Sequence, residues 1–145
     1  MDASTIANAL VSEGKNDKAI KLLDKVMAGI TEHSYYYDYS AYFIAAAYFR
    51  AGDKAKAEAL SKKVVRNAED DLEWVASLPD NTRSAMGFDV KQQFSVLQSI
   101  ASAAHYAGDS TYTNSVINTL KVLQPKLREF LQTGPMQQGG EEEGQ

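Results

Sequence analysis

The sequence contains no cysteine, which excludes disulfide bonds, thiolate metal ligands and cysteine nucleophiles. Histidine is also scarce, because the chain has only His33 and His105. A nucleophilic triad needs a base held beside its nucleophile, and a zinc site needs several converging ligands. Neither arrangement has a recognisable spacing here, and no glycine-rich phosphate loop is present. We therefore expect no catalytic residue, no metal site, no cofactor and no enzymatic activity.

An excess of positive charge is missing too. Lys and Arg number 15 against 19 Asp and Glu, which gives a net charge of −4. Capture of nucleic acid needs a basic stripe, so no nucleic-acid partner is expected. A membrane span needs about 20 apolar residues. The stretch 39–49 is too short and 92–108 is interrupted by polar residues, so this segment is not expected to insert into a membrane. Met1 is followed by Asp2 rather than by a basic region and an apolar run, and no secretory signal is expected.

The sequence contains a repeated pattern that is typical of helices. Apolar residues recur every three or four positions on both sides of Gly14, Gly52 and Gly108, as on one face of a helix. Glycine readily takes the left-handed conformation that ends a helix, and Asp53 is well placed to cap the helix that follows Gly52. The pattern predicts an all-α fold with six main helices in three helical hairpins.

The second and third hairpins are separated by a longer connection. Apolar residues step without a break through 54–78, and Pro79 then disfavours a helical conformation at the residue before it. Turn residues in 80–88 predict a loop with at most one helical turn. Asp89, followed three residues later by a glutamine, resembles a capping box and predicts the start of the third hairpin.

The C-terminal part is predicted to contain a break and then a tail. The apolar pattern continues past Pro125, which predicts either a kink or a break with a short final helix. Residues 133–145 are rich in Gly, Gln and Glu and have little to bury, so we expect them to be disordered. The expected division is a helical domain over 1–132 and a disordered tail over 133–145.

Aligning the three turn glycines shows an internal repeat of small residues. Seven positions before each glycine stand Ala7, Ala45 and Ala101, where two helices must approach closely. Five positions after stand Ala19, Ala57 and Thr113. The same helix-turn-helix unit is therefore predicted three times.

This unit resembles the tetratricopeptide repeat. Ile44, Ala45, Tyr48, Gly52 and Ala57 follow the family's order of a large apolar residue, a small residue, an aromatic residue, a turn glycine and an alanine. The turn glycines lie farther apart than the about 34 residues of that repeat. The resemblance implies a right-handed stack of three helical hairpins, a TPR-like α-α superhelix.

A narrower resemblance concerns the order of segments 17–27, 37–60 and 90–109. This order is similar to that of the soluble C-terminal region of certain bacterial polytopic membrane proteins. The membrane half of those proteins resembles protein O-mannosyltransferases. The similarity covers nearly all of residues 17–131. The resemblance implies a non-catalytic accessory domain of a membrane glycosyltransferase-like protein. Its partner would then be the membrane part of its own full-length chain, and it would be exposed on the periplasmic side. A free-standing chain would be a cytoplasmic adaptor that binds a partner's C-terminal peptide.

The tetratricopeptide resemblance also implies a binding groove, because the first helices of successive repeats line a concave surface in that family. The positions that carry over are Asn8, Ser12, Tyr39, Tyr42, Phe49, Arg50, Gln98, His105 and Tyr106. Such a surface offers aromatic faces to apolar groups and one cation to a carboxylate of a protein or peptide partner. The alternative is that the tyrosines pack between hairpins with their hydroxyls toward solvent.

Two further interpretations stay open. The aromatic cluster at 35–37 can stack on sugar rings, or it can pack at the start of a helix. The acidic run at 141–143 can bind cations, or it can be solvated. A hydrolase or transferase active in its own right would require polar residues that converge in a deep pocket.

Overall fold

The computed structural model describes residues 3–29 and 41–131. Within these residues every regular element is helical, which confirms the predicted all-α class. The α-helices are α1 (Ala3–Ser12), α2 (Asn16–Ala28), α3 (Ala41–Ala51), α4 (Lys54–Ala76), α5 (Asp80–Arg83), α6 (Gly87–Tyr106), α7 (Ser110–Leu123) and α8 (Arg128–Leu131). Two 3₁₀ turns, Ser84–Met86 and Gln124–Leu127, precede α6 and α8. No helix in the described part of the chain is both long enough and apolar enough to cross a membrane.

The six main helices form three pairs that pack side by side, α1 with α2, α3 with α4, and α6 with α7. A turn glycine with positive φ joins the members of each pair, at 80° for Gly14, 92° for Gly52 and 79° for Gly108. At the first turn the Gly14 amide donates to the Val11 carbonyl at 2.9 Å, and the Lys15 amide donates to the Leu10 carbonyl at 2.8 Å. The same two bonds recur at the other two turns, so the predicted glycine caps are confirmed as Schellman motifs.

Side-chain caps begin two of the second helices. Asp53 accepts a hydrogen bond from the Lys56 amide at 3.1 Å, and Asp109 accepts one from the Tyr112 amide at 3.3 Å. The first pair has Lys15 at the corresponding position, and its side chain makes no capping bond. The turns therefore share their glycine geometry, whereas the aspartate cap belongs to the second and third pairs.

Helix α3 lies at the centre of the fold and contacts α1, α2, α4 and α6. Alanines make these contacts possible, because a methyl side chain lets helix axes approach closely. Ala45 and its counterpart Ala7 are fully buried, and so are Ala19 and Ala57, which occupy the second set of aligned positions. The remaining aligned positions, Ala101 and Thr113, are also buried. All six aligned positions are thus buried in the structure.

Buried side chains form two hydrophobic clusters. The first lies around α3 and includes residues from all three helix pairs. The second lies between the C-terminal half of α4, the N-terminal half of α6 and the C-terminal end of α7. Its members are Ala68, Leu72, Val75, Val90, Phe94, Leu97, Leu120, Leu123, Leu127 and Phe130. α4, α6 and α7 extend through both clusters and therefore join them.

The predicted connection at 80–88 is mostly helical, and the predicted start of the third hairpin at Asp89 is wrong. Helix α5 and a 3₁₀ turn lead directly into α6, which begins at Gly87. Asp89 therefore lies in the first turn of α6, and the residue at the N-cap, Met86, makes no side-chain cap bond. The expected capping box does not form. Helix α4 also ends at Ala76, two residues before the predicted end, because the chain is already leaving the helix ahead of Pro79.

The break at Pro125 is confirmed, together with the short final helix. The residue lies in the Gln124–Leu127 3₁₀ turn between α7 and α8. Two ion pairs hold this segment to the rest of the molecule. Lys126 Nζ lies 2.8 Å from Glu73 Oε1 on α4, and Arg83 Nε lies 2.9 Å from Glu129 Oε2. The predicted tail at 133–145 and the aromatic cluster at 35–37 lie outside the described residues.

Candidate binding groove

A groove of about 1150 Å³ lies between α3 and α6, and Val11 of α1 reaches it. Its lining comes from the first helix of every pair, from Gly52 at one turn and from Ala107 at the end of α6. The lining residues are Val11, Tyr42, Phe43, Ala46, Phe49, Arg50, Gly52, Ser95, Gln98, Ser99, Ser102, Ala103, Tyr106 and Ala107. No residue of α2, α4 or α7 lines it within the described part of the chain.

The wall formed by α3 is aromatic. Ala46 lies three or four residues from Tyr42 and Phe43 on one side and from Phe49 and Arg50 on the other, so these residues occupy one helical face. The rings of Tyr42 and Phe43 are 4.1 Å apart between centroids, at an angle of 34°. Phe43 is 45% exposed, whereas Phe49 is buried at the base. This wall therefore offers apolar ring surface to whatever enters the groove.

The opposite wall, formed by α6, is polar and neutral. Ser95, Gln98, Ser99 and Ser102 follow the same spacing along α6, and Tyr106 completes the face near its end. Hydroxyl and amide groups both donate and accept hydrogen bonds. Tyr106 is 88% exposed, so its ring stands at the margin of the groove. The two walls thus differ in chemistry, one suited to apolar groups and the other to polar backbone or side-chain groups.

Among the described residues that line the groove, Arg50 is the one that carries a charge. It forms no ion pair with any acidic residue in 3–29 or 41–131. A guanidinium group donates two parallel hydrogen bonds to a carboxylate, and such charge-assisted bonds are stronger than neutral ones. Within the described part of the chain, the groove therefore presents one positive charge, and no acidic side chain there forms an ion pair with it.

Five of the residues predicted for the groove line it, namely Tyr42, Phe49, Arg50, Gln98 and Tyr106. Phe49 is nearly inaccessible, because its ring also packs against Tyr112 with centroids 6.0 Å apart. Phe49 therefore packs between the second and third helix pairs. Tyr39 lies outside the described residues. Whether the five bind a partner stays a prediction.

His105 was assigned to the groove from the sequence but does not line it. His105 is exposed on α6, and the centroids of its ring and the Tyr106 ring lie 6.1 Å apart at an angle of 63°. Asn8 and Ser12 do not line the groove either, since Val11 is the residue of α1 that does. The Ser12 hydroxyl instead donates to the Asn8 carbonyl at 3.1 Å, within the helix.

Sequence reasoning missed the serines of α6. Ser95, Ser99 and Ser102 lie at helical spacing around Gln98, which was predicted. A search for a neutral polar stripe at this spacing would have found them, because the rest of α6 has a buried apolar face.

A polar network outside the groove ties the first two helix pairs together. The Tyr48 hydroxyl donates to Asp24 Oδ1 at 2.8 Å, and Lys56 Nζ donates to Asp24 Oδ2 at 2.8 Å. The hydrogen bonds from Lys56 and then from Tyr48 lower the pKa of the Asp24 carboxyl. Burial raises the pKa of the Tyr48 phenol, and the neighbouring Asp24 raises it further. One carboxylate thus joins α2, α3 and α4.

A second polar contact ties the second pair to the third. The Ser61 hydroxyl donates to the Tyr112 hydroxyl at 2.6 Å in a buried position between α4 and α7. Nearby, a hydrogen bond with Asp109 raises the pKa of the Glu58 carboxyl, and partial burial adds to this effect. These groups lie between helices and away from the groove, so we assign them to packing.

No three His, Asp or Glu side chains within 3–29 and 41–131 come together as metal ligands. Comparison with protein-family models, curated proteins and solved structures finds no match to this chain. Any assignment of function therefore depends on the groove and on the other surfaces of the molecule.

Proposed function

We propose that this chain is a non-catalytic protein-interaction module that holds a segment of a protein partner in the groove between α3 and α6. The observation that supports this function is the groove itself, with its volume of about 1150 Å³ and with Arg50 as the one cation among its described lining residues. Pockets for small ligands usually measure about 300–1,000 Å³ and enclose most of the ligand. A larger groove lined by three helices is better suited to a peptide segment.

Each wall has a distinct role in this proposal. The rings of Tyr42 and Phe43 take apolar side chains of the partner. Gln98 and the serines of α6 exchange hydrogen bonds with the partner's backbone, which leaves few polar groups unsatisfied. Arg50 binds a carboxylate, which fixes the direction in which the segment lies.

We further propose that the three helix pairs stack as a right-handed, TPR-like superhelix. The three Schellman turns and the buried small residues at aligned positions support this arrangement. The described lining of the groove, which comes from α1, α3, α6 and the adjoining turns, also supports it, because first helices line the inner surface in that family.

Two settings for the module are proposed from the sequence resemblance. In the first, it is the accessory domain of a bacterial membrane glycosyltransferase-like protein, exposed on the periplasmic side, and its partner is the membrane part of the same chain. In the second, it is a free adaptor that binds a C-terminal peptide. The reading frame upstream of the Met1 codon distinguishes them, since membrane spans in frame support the first and a stop codon supports the second.

The groove is tested by selection from a peptide library displayed with free C-termini. We expect enriched peptides to contain an aromatic or aliphatic residue close to a carboxylate. Their affinity should fall about tenfold with Arg50→Gln, since a charge-assisted hydrogen bond is worth about 1.5–3 kcal/mol. Gln98→Ala should weaken binding by a smaller factor.

Arg66→Gln on α4 is the matched control, because it removes the same charge from an exposed position outside the groove. It should leave the affinity unchanged. A failure to enrich any peptide would contradict the proposal, as would enriched peptides that bind wild type and Arg50→Gln equally well.

A further inference from the structure

The aromatic and the charged features of the groove lie at opposite ends of α3. Tyr42 and Phe43 are in the first turn of this helix, and Arg50 is in its last turn. Phe43 and Arg50 are seven positions apart in the sequence, which places them on the same helical face and about 10 Å apart along the axis. Both side chains are exposed. An occupant that contacts both must therefore span about 10 Å.

The polar wall of α6 favours an extended occupant. The side chains of Ser95, Gln98, Ser99 and Ser102 form no hydrogen bond to any residue in 3–29 or 41–131. An α-helical occupant would satisfy its backbone groups internally and would not use this wall. An extended segment has amide and carbonyl groups that need partners, and hydroxyl and amide side chains supply them.

One extended conformation places two side chains on the same side at the required separation. In a polyproline II helix three residues complete a turn and rise about 9 Å, so positions i and i+3 share a face. In a β-strand the side chains alternate, and positions i and i+3 point to opposite sides. Polyproline II segments are also bound in aromatic-lined grooves of other recognition modules. The two features on α3 therefore match an occupant with two residues between its apolar and its acidic residue.

The groove continues past Arg50. Gly52 and Ala107, which follow the last turns of α3 and α6, also line it. A Cβ on Gly52 would meet no atom within 4 Å, so there is open space at this end. A bound chain can thus extend beyond Arg50. The carboxylate that Arg50 binds is therefore better supplied by an acidic side chain within a longer segment than by a chain terminus.

We infer that the partner supplies an internal, extended segment in which two residues separate an apolar residue from an aspartate or a glutamate. This inference rests on the proposed function of the groove and specifies its ligand. The apolar side chain packs on the rings of Tyr42 and Phe43, and the carboxylate accepts hydrogen bonds from Arg50. The backbone between these two residues exchanges hydrogen bonds with the polar wall of α6.

A series of blocked peptides tests the spacing. Each peptide is acetylated and amidated, so a glutamate side chain is its only carboxylate. One leucine and one glutamate are separated by zero to four serines, in both orders along the chain. Each Kd is measured from amide chemical-shift changes of the isotopically labelled full-length protein. We expect the tightest binding with two serines, and about tenfold weaker binding with none, because the shorter peptide cannot contact both features.

The contact with Arg50 is tested by a cycle of substitutions. Replacing the glutamate of the best peptide by glutamine should raise the Kd for the wild-type protein about tenfold. The same replacement should have little effect on Arg50→Gln, because the partner of the carboxylate is already absent. Arg66→Gln, the control outside the groove, should respond as the wild type does. Circular dichroism confirms that each variant is folded.

Two further peptides test the conformation and the internal position. Replacing the two serines by prolines should not weaken binding, because proline favours the polyproline II conformation. Adding four serines after the glutamate should leave the Kd unchanged. A peptide that instead ends in a free carboxylate at the same separation from leucine should bind no tighter than the internal glutamate.

The inference is overturned by equal affinity at every spacing, by a several-fold loss of affinity with the prolines, or by tighter binding of the terminal carboxylate. These results leave the proposed function intact, since a peptide still binds in the groove. The same holds if no peptide of the series binds while the displayed library yields other ligands that depend on Arg50. Failure of both the series and the library would contradict the proposed function and the inference together.

Discussion

Single polar side chains join helices in this protein at positions where the backbone alone would not specify the packing. Asp24 shows this most clearly, because its two oxygens accept hydrogen bonds from Tyr48 on α3 and from Lys56 on α4. The sequence did not predict the contact, since the three residues are far apart in the chain. Their proximity is a consequence of how the first two helix pairs pack.

Tyr48→Phe should lower the free energy of unfolding by about 1 kcal/mol, because it removes a hydrogen bond to a charged acceptor. The loss is limited, since the Asp24 side chain is 41% exposed and water can replace the phenol. Tyr106→Phe is the control, because that ring is already almost fully exposed. Urea unfolding of both variants measures the difference. Equal stability of the two would show that the bond to Asp24 contributes nothing.

Protonation of Asp24 should weaken the same junction. Its folded-state pKa is lowered below the ordinary value of 3.8, so its contribution to stability is fully present above that pH. The contribution is lost as the pH falls through the folded-state pKa. Wild type should therefore be more stable than Asp24→Asn at neutral pH, and the difference should shrink as the pH falls below 3.8. A difference that stays constant with pH would contradict this account.

At the scale of the helical elements, the turns were the most predictable feature. A turn glycine is determined by local conformation, and Gly14, Gly52 and Gly108 all have positive φ as the sequence indicated. The break at Pro125 was predictable for the same reason, because proline lacks the amide that a continuous helix needs. Features that depend on a few neighbouring residues could be predicted from the sequence.

Helix starts that lack a side-chain cap were harder to predict from the sequence. Helix α6 begins at Gly87 rather than near Asp89. Phe130 packs against this start, because its ring lies 3.6 Å from the position that a Cβ on Gly87 would occupy. Contacts of this kind come from a residue more than forty positions away. The residues that line the groove were hard to predict for the same reason. His105 and Ser102 are both on α6, and only the packing of α3 decides which of the two faces the groove.

Two glycine variants should change stability in opposite directions. Gly52→Ala should destabilise the protein by about 1–2 kcal/mol, because φ is +92° and an L-residue is strained there although no atom would clash. Gly29→Ala should stabilise it by about 0.4–1 kcal/mol, since φ is −87° and alanine reduces the freedom of the unfolded chain. Thermal unfolding of the two variants tests the signs. A shift in the same direction for both would show that φ does not control the effect.

At the scale of the whole molecule, the lengthened helices connect two hydrophobic clusters. α4, α6 and α7 each contribute to both, so one cluster cannot lose its helices without disturbing the other. This arrangement predicts cooperative unfolding of the helical part of the chain. The repeat alone did not predict the second cluster, because it is formed by the extensions of the helices and by the segment after Pro125.

Leu127→Ala tests this cooperativity. Leu127 is fully buried, so its truncation should cost about 2–5 kcal/mol. Trp74 fluorescence reports on the second cluster, and far-UV circular dichroism reports on all helices. Both transitions should move together to lower urea concentration, whereas the exposed neighbour variant Val122→Ala should leave them nearly unchanged. Separation of the two transitions would contradict a single cooperative unit.

The central claim is that the groove between α3 and α6 receives a peptide segment of a protein partner. The most direct measurement is to map amide chemical-shift changes on the isotopically labelled protein during titration with the best peptide from the free C-terminus selection. The account predicts that the largest changes lie on the groove face, at Arg50, Gln98, Ser99 and Ser102, and that Arg50→Gln reduces them. Largest changes on α2 or on the face of α4 away from the groove would contradict it.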